Sequence, residues 1–229
     1  MKKLISLLCA GAMALSLTAC GGSGLTAMDA SDYVRGMMDL TYYGTSDPDY
    51  LKRVGITEEE GRVDYEKGLD VEYRYFARCF DMDTELLTEQ TREAIVDLLA
   101  DFYRQAKYEV KPGSKSGDGF AVEVVVEPIA IIPHVVNTYM EEYSKEFAAV
   151  YANIDWSLIS PEEEDAFWLT YENGWAMGIV GLFREHEGEL GYLEAQRVTV
   201  EILPDEEGVY SLRDSDFANL DALILAYSN

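Results

Sequence analysis

The stretch Gly119-Phe-Ala-Val-Glu-Val-Val-Val-Glu127 has a large apolar residue at every second position from 120 to 126. Phe120, Val122, Val124 and Val126 fall on one face, with Glu123 and Glu127 on the other. A period of two residues is typical of a strand that is buried on one side only. Tyr108 and Val110 precede it across a loop rich in Gly, Lys and Ser, at 111–119, so we predict a β-hairpin closed by Pro128 and Pro133.

The same pattern returns near the end of the chain. Val198, Val200 and Ile202 alternate, and the acidic turn Asp205-Glu206-Glu207-Gly208 separates them from an apolar run at 209–212. We predict a second hairpin here. Two hairpins with alternating faces favour an antiparallel sheet with one covered side and one wet side.

Helical patterns fill the remaining chain. Ser31 is predicted to cap a first helix over 32–43, and Thr57-Glu58-Glu59-Glu60 is a capping box that opens a longer one. Ser160-Pro161-Glu162-Glu163 is a second strong helix start. One long apolar stripe is predicted between these blocks, made of Val136, Met140, Tyr143, Phe147, Val150 and Ile154.

These elements predict an α+β fold. The sheet is four-stranded and antiparallel, built from two hairpins, with long helices packed on one face. We expect a single acidic domain over residues 31–229. The order of helices and hairpins is similar to that of NTF2-like or cystatin-like domains, an analogy of fold only.

The first residues have the proportions of an export signal. Lys2 and Lys3 precede a short apolar run that ends in Leu17-Thr18-Ala19-Cys20. The run is too short to cross a bilayer, which needs roughly 20 residues. The last four residues resemble the lipobox of bacterial lipoproteins. Alternatives are an ordinary signal peptide with a coincidental cysteine, or an apolar N-terminus that stays in the cytosol.

The lipobox resemblance implies a lipoprotein signal peptide at 1–19 and a lipid-modified Cys20, carrying acyl chains such as palmitate. It implies a protein anchored in the cell membrane and facing outside the cytoplasm. Residues 20–30 are rich in Gly and small side chains and are predicted to form a flexible tether, which reaches about 16–19 Å.

The block from Tyr33 to Glu127 resembles uncharacterised lipoproteins of Gram-positive bacteria whose bodies are domains of unknown function. The resemblance lies in Tyr33-Val-Arg-Gly-Met-Met-Asp-Leu-Thr-Tyr42, the Thr57 capping box, Ala106-Lys-Tyr-Glu-Val110, and the Gly119-Phe120 strand with Pro128. It implies lipid anchoring and an α+β body, and transfers no catalytic residue.

The net negative charge of the chain excludes some classes of binding function. The chain has 43 acidic and 18 basic residues, a formal net charge of -25. Removal of residues 1–19, which hold two lysines and no acid, leaves about -27. Nucleic-acid binding depends on lysine and arginine neutralising phosphates, so this composition excludes it. It also argues against docking on anionic lipid through a basic patch.

No catalytic, metal or cofactor constellation is visible. Asp81-Met-Asp-Thr84 and Asp214-Ser-Asp216 are explained as polar helix ends. His134 and His186 lie in distant segments and lack the spacing of zinc ligands. Cys79 is predicted to be a small buried hydrophobe. We therefore predict no bound cofactor and no enzyme activity.

The high aromatic content, 16 Tyr, 8 Phe and 3 Trp, is the one feature of the sequence that points to binding. Trp168, Tyr171 and Trp175 share one face of the helix that begins after Ser160. Such a face can bind sugars or peptides, or it can be core. It is the candidate binding surface.

The hypothesis is a lipoprotein whose acidic domain binds a small ligand, peptide, wall component or partner protein without catalysis. The first alternative is an exported hydrolase that uses two carboxylates. The second is the solute-binding lipoprotein of a transporter, although the chain lacks the alternating β-α units of two lobes.

Overall fold

The computed structural model describes residues 25–228. Its α-helices are α1 (Ala27–Met38), α2 (Pro48–Val54), α3 (Glu58–Cys79), α4 (Glu89–Tyr103), α5 (Ile131–Thr138), α6 (Met140–Tyr151), α7 (Pro161–Glu185) and α8 (Asp214–Ile224). Its strands are β1 (Lys107–Val110), β2 (Ser114–Ser116), β3 (Gly119–Glu127), β4 (Gln196–Pro204) and β5 (Tyr210–Leu212). Short turns of other helix types follow α1 (Asp39–Tyr43), precede α7 (Trp156–Leu158) and follow α7 (Glu187–Glu189).

The strands form one antiparallel sheet in which β3 pairs with β1, β2 and β4, and β5 extends the far edge of β4. Both predicted hairpins are confirmed, as β1–β3 and β4–β5. Their junction is the β3–β4 pairing, which places Val124 opposite Val198 and Val122 opposite Val200. The short β2 lies in the segment predicted as a loop, and pairs with the start of β3.

The predicted alternation along β3 matches its burial. Phe120, Val122, Val124 and Val126 are buried under helices that include α1 and α8. On the opposite face, Glu123 accepts a hydrogen bond from Arg197 of β4 at 2.8 Å. One face of the sheet is covered and the other carries charge, so the α+β class with helices packed on one side is confirmed.

Gly119 sets how closely β3 and β4 approach at the start of the strand. A Cβ atom at this position would lie 2.2 Å from the carbonyl oxygen of Ile202. Only glycine therefore fits against the facing backbone without a shift of one strand.

The helices share one hydrophobic core with the sheet. Phe76 of α3, Phe102 of α4 and Phe183 of α7 meet there, with ring centroids 5.7 Å apart for the first and last and 5.8 Å apart for the last two. The C-terminal third of α7 thus belongs to the core, with Ile179 fully buried.

The first helix begins earlier than predicted. Thr26, not Ser31, is the N-cap: its side chain accepts from the amide of Asp29, whose carboxylate accepts from the amide of Thr26. Ser31 is buried inside α1, where its hydroxyl donates to the Ala27 carbonyl and accepts from the Gly113 amide. Residues 27–30, assigned above to the tether, are therefore helical, and the boundary predicted at residue 31 is wrong.

The single long stripe predicted from Val136 to Ile154 is also wrong. Tyr139, with φ −121° and ψ −24°, separates α5 from α6 and turns the chain. Val136 and Val150 are consequently exposed, at 37% and 73%.

Cys79 is exposed, not buried as predicted. It is the last residue of α3, and the core-facing side of that last turn is taken by Phe76, Ala77 and the following Phe80.

Candidate functional site: an aromatic helical hairpin

Helix α6 lies antiparallel to the first half of α7, and aromatic rings fill the contact between them. Residues four apart on a helix share a face, so each helix presents a row of rings to the other. The pairs, with distances between ring centroids, are Tyr143 with Trp175 (5.4 Å), Phe147 with Tyr171 (5.1 Å) and Tyr151 with Phe167 (5.5 Å). We call α6, the connection 152–160 and residues 161–175 the aromatic hairpin.

Most of the aromatic hairpin lies outside the main core, which only Met140, Tyr143 and Trp175 at its base contact. No described side chain between residues 140 and 175 is buried, whereas burial resumes at Ala176. Aromatic pairs contribute about 0.5–1.5 kcal/mol each beyond the area that they bury. Ring contacts between α6 and α7 therefore replace a hydrophobic core in this part of the molecule.

Hydrogen bonds attach the base of the hairpin to the segment between α3 and α4 and to the first turn of α4. The Asn173 side chain accepts from the amide of Thr88 (2.8 Å) and the hydroxyl of Thr91 (2.6 Å), and donates to the carbonyl of Leu86 (2.8 Å). The Trp175 indole donates to the carbonyl of Phe80 at 2.8 Å. The base is thereby fixed to the body.

The three residues of the candidate binding surface take different positions. Trp175 and Tyr171 are half-buried in the ring contacts with α6, so they hold the hairpin together. Trp168 is 39% exposed, and its indole lies 3.5 Å from a carboxylate oxygen of Glu164. Its ring meets that of Tyr171 at 76°, so the three rings do not form one flat platform. Trp168 is the one of the three that a ligand can reach broadly.

Sequence reasoning missed the apolar residues around Trp168. Val150, Leu158 and Leu169 are 73%, 79% and 46% exposed, and they belong to the half of the hairpin farthest from its base. We call residues 150–169 the outer end. Single exposed apolar residues are common, but the concentration of large ones within residues 150–169 makes this part of the hairpin the candidate for an interaction site.

The aromatic hairpin is also strongly acidic, including its outer end. Residues 140–175 contain nine acidic residues and one base, Lys145, which is paired with Glu141. Glu162, Glu163, Glu164 and Asp165 are exposed in the first turns of α7. Glu163 completes the capping box predicted with Ser160, which confirms that helix start.

A second cluster lies where the body meets the first turn of α6, and it unites the two histidines of the chain. His134 Nε2 lies 2.6 Å from one carboxylate oxygen of Glu189, and His186 Nδ1 lies 2.9 Å from the other. The Tyr139 hydroxyl donates to the same carboxylate, and its ring stacks on His186 with centroids 3.6 Å apart.

Contacts within this cluster determine the acidity of Glu189. The hydrogen bonds from His134, His186 and Tyr139, in that order, lower the pKa of Glu189 to about 2. The Glu189 carboxylate in turn raises the pKa of Tyr139. Within residues 25–228, no three His, Cys, Asp or Glu side chains are arranged to hold a metal ion. The cluster therefore connects α5, the start of α6 and the end of α7 through one carboxylate.

Two carboxylates, the ones buried among residues 25–228, bear on the hydrolase alternative. Glu72 of α3 accepts from the Tyr227 hydroxyl at 2.6 Å, and Asp221 of α8 accepts from the Tyr42 hydroxyl at 3.1 Å. Burial, and then the neighbouring carboxylate, raises the pKa of both tyrosines well above the ordinary value. These contacts tie the C-terminal segment to α3 and the turn after α1, which is a structural role.

The predicted lipid attachment residue, Cys20, lies outside the described residues, as do the lipobox and the signal peptide at 1–19. Among residues 25–228, no helix combines the length and the apolar character needed to cross a membrane.

We predict that Gly178→Ala weakens the α6–α7 contact. A Cβ at position 178 would lie 1.7 Å from the Tyr143 hydroxyl, so either the Tyr143 ring, which is held by its ring contacts, or one of the two helices must shift. Overpacking of this kind costs about 1–3 kcal/mol in the free energy of unfolding, measurable by urea denaturation. Gly181→Ala in the same helix meets nothing within 4 Å and should add about 0.5–1 kcal/mol. Equal effects of the two substitutions would contradict the close approach.

We predict that Glu189→Gln lowers stability at neutral pH and loses this effect in acid. The pKa of Glu189 is about 2 in the folded protein and 4.5 ordinarily. Its contribution is therefore fully present above about 4.5 and is lost as the pH falls through about 2. Urea unfolding between pH 7 and pH 2 should show the two proteins converging in acid. The exposed Glu194 provides the control, and a difference between the Glu194→Gln protein and the parent that follows the same pH course would refute the assignment.

No family model and no curated protein matches the chain. Among solved structures, the fold is similar to that of ycdA from Bacillus subtilis, a protein described as a lipoprotein. The TM-score is 0.52 at 15% sequence identity, and the match covers 87% of this chain. It covers 57% of the ycdA chain, so this chain spans little more than half the length of that protein. The likeness establishes a shared fold.

Proposed function

We propose that the protein is a membrane-anchored extracytoplasmic lipoprotein whose acidic domain binds a partner, without catalysis, through the outer end of the aromatic hairpin. The observation that carries this proposal is the group of exposed apolar residues, Val150, Leu158, Trp168 and Leu169, on an element with its own ring packing. Such a surface costs solubility unless something covers it.

The anchor is inferred from Leu17-Thr18-Ala19-Cys20, and the description of the structurally similar ycdA as a lipoprotein supports it. The helical start at Ala27 adds a distance limit. Six peptide steps separate Cys20 from Thr26, and at about 3.3–3.6 Å per residue they span at most about 22 Å. A lipid on Cys20 would hold the body within that distance of the membrane.

Two observations favour binding over the other functions considered. Glu72 and Asp221, the buried carboxylates, are engaged by tyrosine hydroxyls in the core, whereas a glycosidase pair faces substrate across a cleft. Nearly all buried apolar side chains of residues 25–228 form one cluster, whereas a transporter's solute-binding protein closes two lobes on its ligand.

The anchor predicts that Cys20→Ser releases the protein from the membrane at physiological salt. Acyl chains supply about 0.8 kcal/mol per buried CH₂, and the net charge of the body opposes adsorption to anionic lipid. Cell fractionation with an antibody to the domain measures the outcome. Cys79→Ser, which leaves the lipobox intact, should stay membrane-bound. A Cys20→Ser protein that remains on the membrane would refute the anchor.

Binding through the outer end predicts site-specific crosslinking in living cells. A photoreactive benzoylphenylalanine at position 158 or 169 should give a discrete adduct, identified by mass spectrometry. The same residue at position 206, exposed in the turn between β4 and β5, should not. Adducts at neither 158 nor 169, or the same adducts at all three positions, would overturn the proposed surface.

A further inference from the structure

We propose that the partner of the outer end is a basic amphipathic segment of another protein. This inference rests on the proposed function and names the chemistry of its partner. The surface combines exposed apolar side chains with carboxylates that form no ion pair within residues 25–228, and a segment with apolar residues on one side and Lys or Arg at its borders complements both.

The apolar part supplies the contact area. Leu158 lies in the connection between the helices, Val150 in the last turn of α6, and Trp168 and Leu169 in the third turn of α7. Tryptophan is among the residues that most often anchor protein interfaces, and apolar side chains around such an anchor exclude water from the contact. The partner must therefore bring apolar side chains of its own.

The exposed carboxylates of the outer end determine which sign of charge the partner must carry. Among the described residues, no Lys, Arg or His forms an ion pair with Glu162, Glu163, Glu164 or Asp165. Lys145, the single base of the hairpin, is paired with Glu141. The N-terminus of α7 favours acids in its first turn, but they remain exposed to whatever docks beside Trp168. A cationic partner gains attraction here at the distances where salt does not screen it.

The same charges disfavour other occupants. A second copy would bring its own acidic outer end against this one, and like charges across an interface cost several kcal/mol. An anionic lipid surface would be repelled for the same reason. A basic protein segment avoids both penalties.

The ring packing prepares this surface before the partner arrives. The Trp168 ring contacts the Tyr171 ring, with centroids 5.6 Å apart, and the Tyr171 ring in turn contacts that of Phe147. A side chain that is already held in place loses little conformational freedom on binding, which preserves affinity. The partner segment, not the hairpin, would be the part that orders.

The test uses the full chain in nonionic detergent micelles and a defined probe. The probe is a dye-labelled amphipathic peptide of Leu and Lys, about 14 residues or four helical turns long. A peptide with Glu in place of Lys is its charge control. Fluorescence anisotropy measures binding, with the signal from empty micelles subtracted. The Leu/Lys peptide should bind at least tenfold more tightly than the Leu/Glu peptide and weaken as salt is raised.

Two triple variants that each remove three negative charges show whether the peptide binds at the outer end or is attracted by the whole acidic surface. The E162Q/E164Q/D165N protein keeps Glu163 for the capping box and should bind the Leu/Lys peptide about three- to tenfold more weakly. The E194Q/E206Q/E207Q protein loses three exposed carboxylates elsewhere and should stay within twofold of the parent. W168A/L169S should weaken binding while the salt dependence remains.

Equal weakening by both triple variants would overturn the proposal, because attraction would then be general. Failure of the Leu/Lys peptide to bind would also overturn it, as would concentration-dependent self-association through the same residues. These results are separable from failure of the proposed function. Adducts at positions 158 and 169 to an acidic protein or to lipid would keep a binding surface and refute its basic partner, whereas absent adducts would refute the surface itself.

Discussion

The pairing of β3 with β4 is the contact on which the rest of the structure depends. It joins two hairpins that are far apart in the chain into one sheet, and it requires Gly119 to lie against the Ile202 carbonyl. The apolar faces of the two strands, including Val124 and Val200, then form one surface. The helices between the hairpins must start and end at the same sheet, which leaves α6 and the first half of α7 to extend as a separate arm.

That arm is stabilised by a different means from the body. In the body, Phe76, Phe102 and Phe183 are shielded by several elements at once, whereas α6 has no buried residue and reaches the main core only through Met140 and Tyr143 at its start. Aromatic rings suit this situation because each offers large area and few rotatable bonds. The protein can therefore present apolar side chains at one end of the hairpin without disturbing the core at the other.

Local patterns predicted most of the fold. The alternation of Phe120 to Val126 identified the central strand, and the capping boxes at Thr57 and Ser160 identified the starts of α3 and α7.

The predictions failed where a competing local interaction or a tertiary contact decided the outcome. Ser31 was predicted as the N-cap of the first helix, but Thr26 takes that position because Asp29 completes a capping box with it. The apolar stripe from Val136 to Ile154 is continuous in the sequence, but the backbone turns at Tyr139 and divides it between two helices. No spacing rule places His134 beside His186, because only the packing of α5 against the end of α7 brings them to Glu189. The aromatic row on α7 was visible in the sequence, but its division into structural rings and an exposed Trp168 depends on where α6 lies.

Helix α7 has a mechanical consequence. Its 25 residues run without a break for about 37 Å, from the acidic outer end to the buried Ile179 and Phe183. A continuous helix resists bending, so a sideways force at Trp168 acts on a lever whose short arm is embedded among the central aromatic rings. Tyr139, stacked on His186, connects the companion helix to the same pivot. A molecule that pulled on the outer end would therefore load the centre of the domain directly, and the strength of that centre limits how much force the arm can transmit to the body.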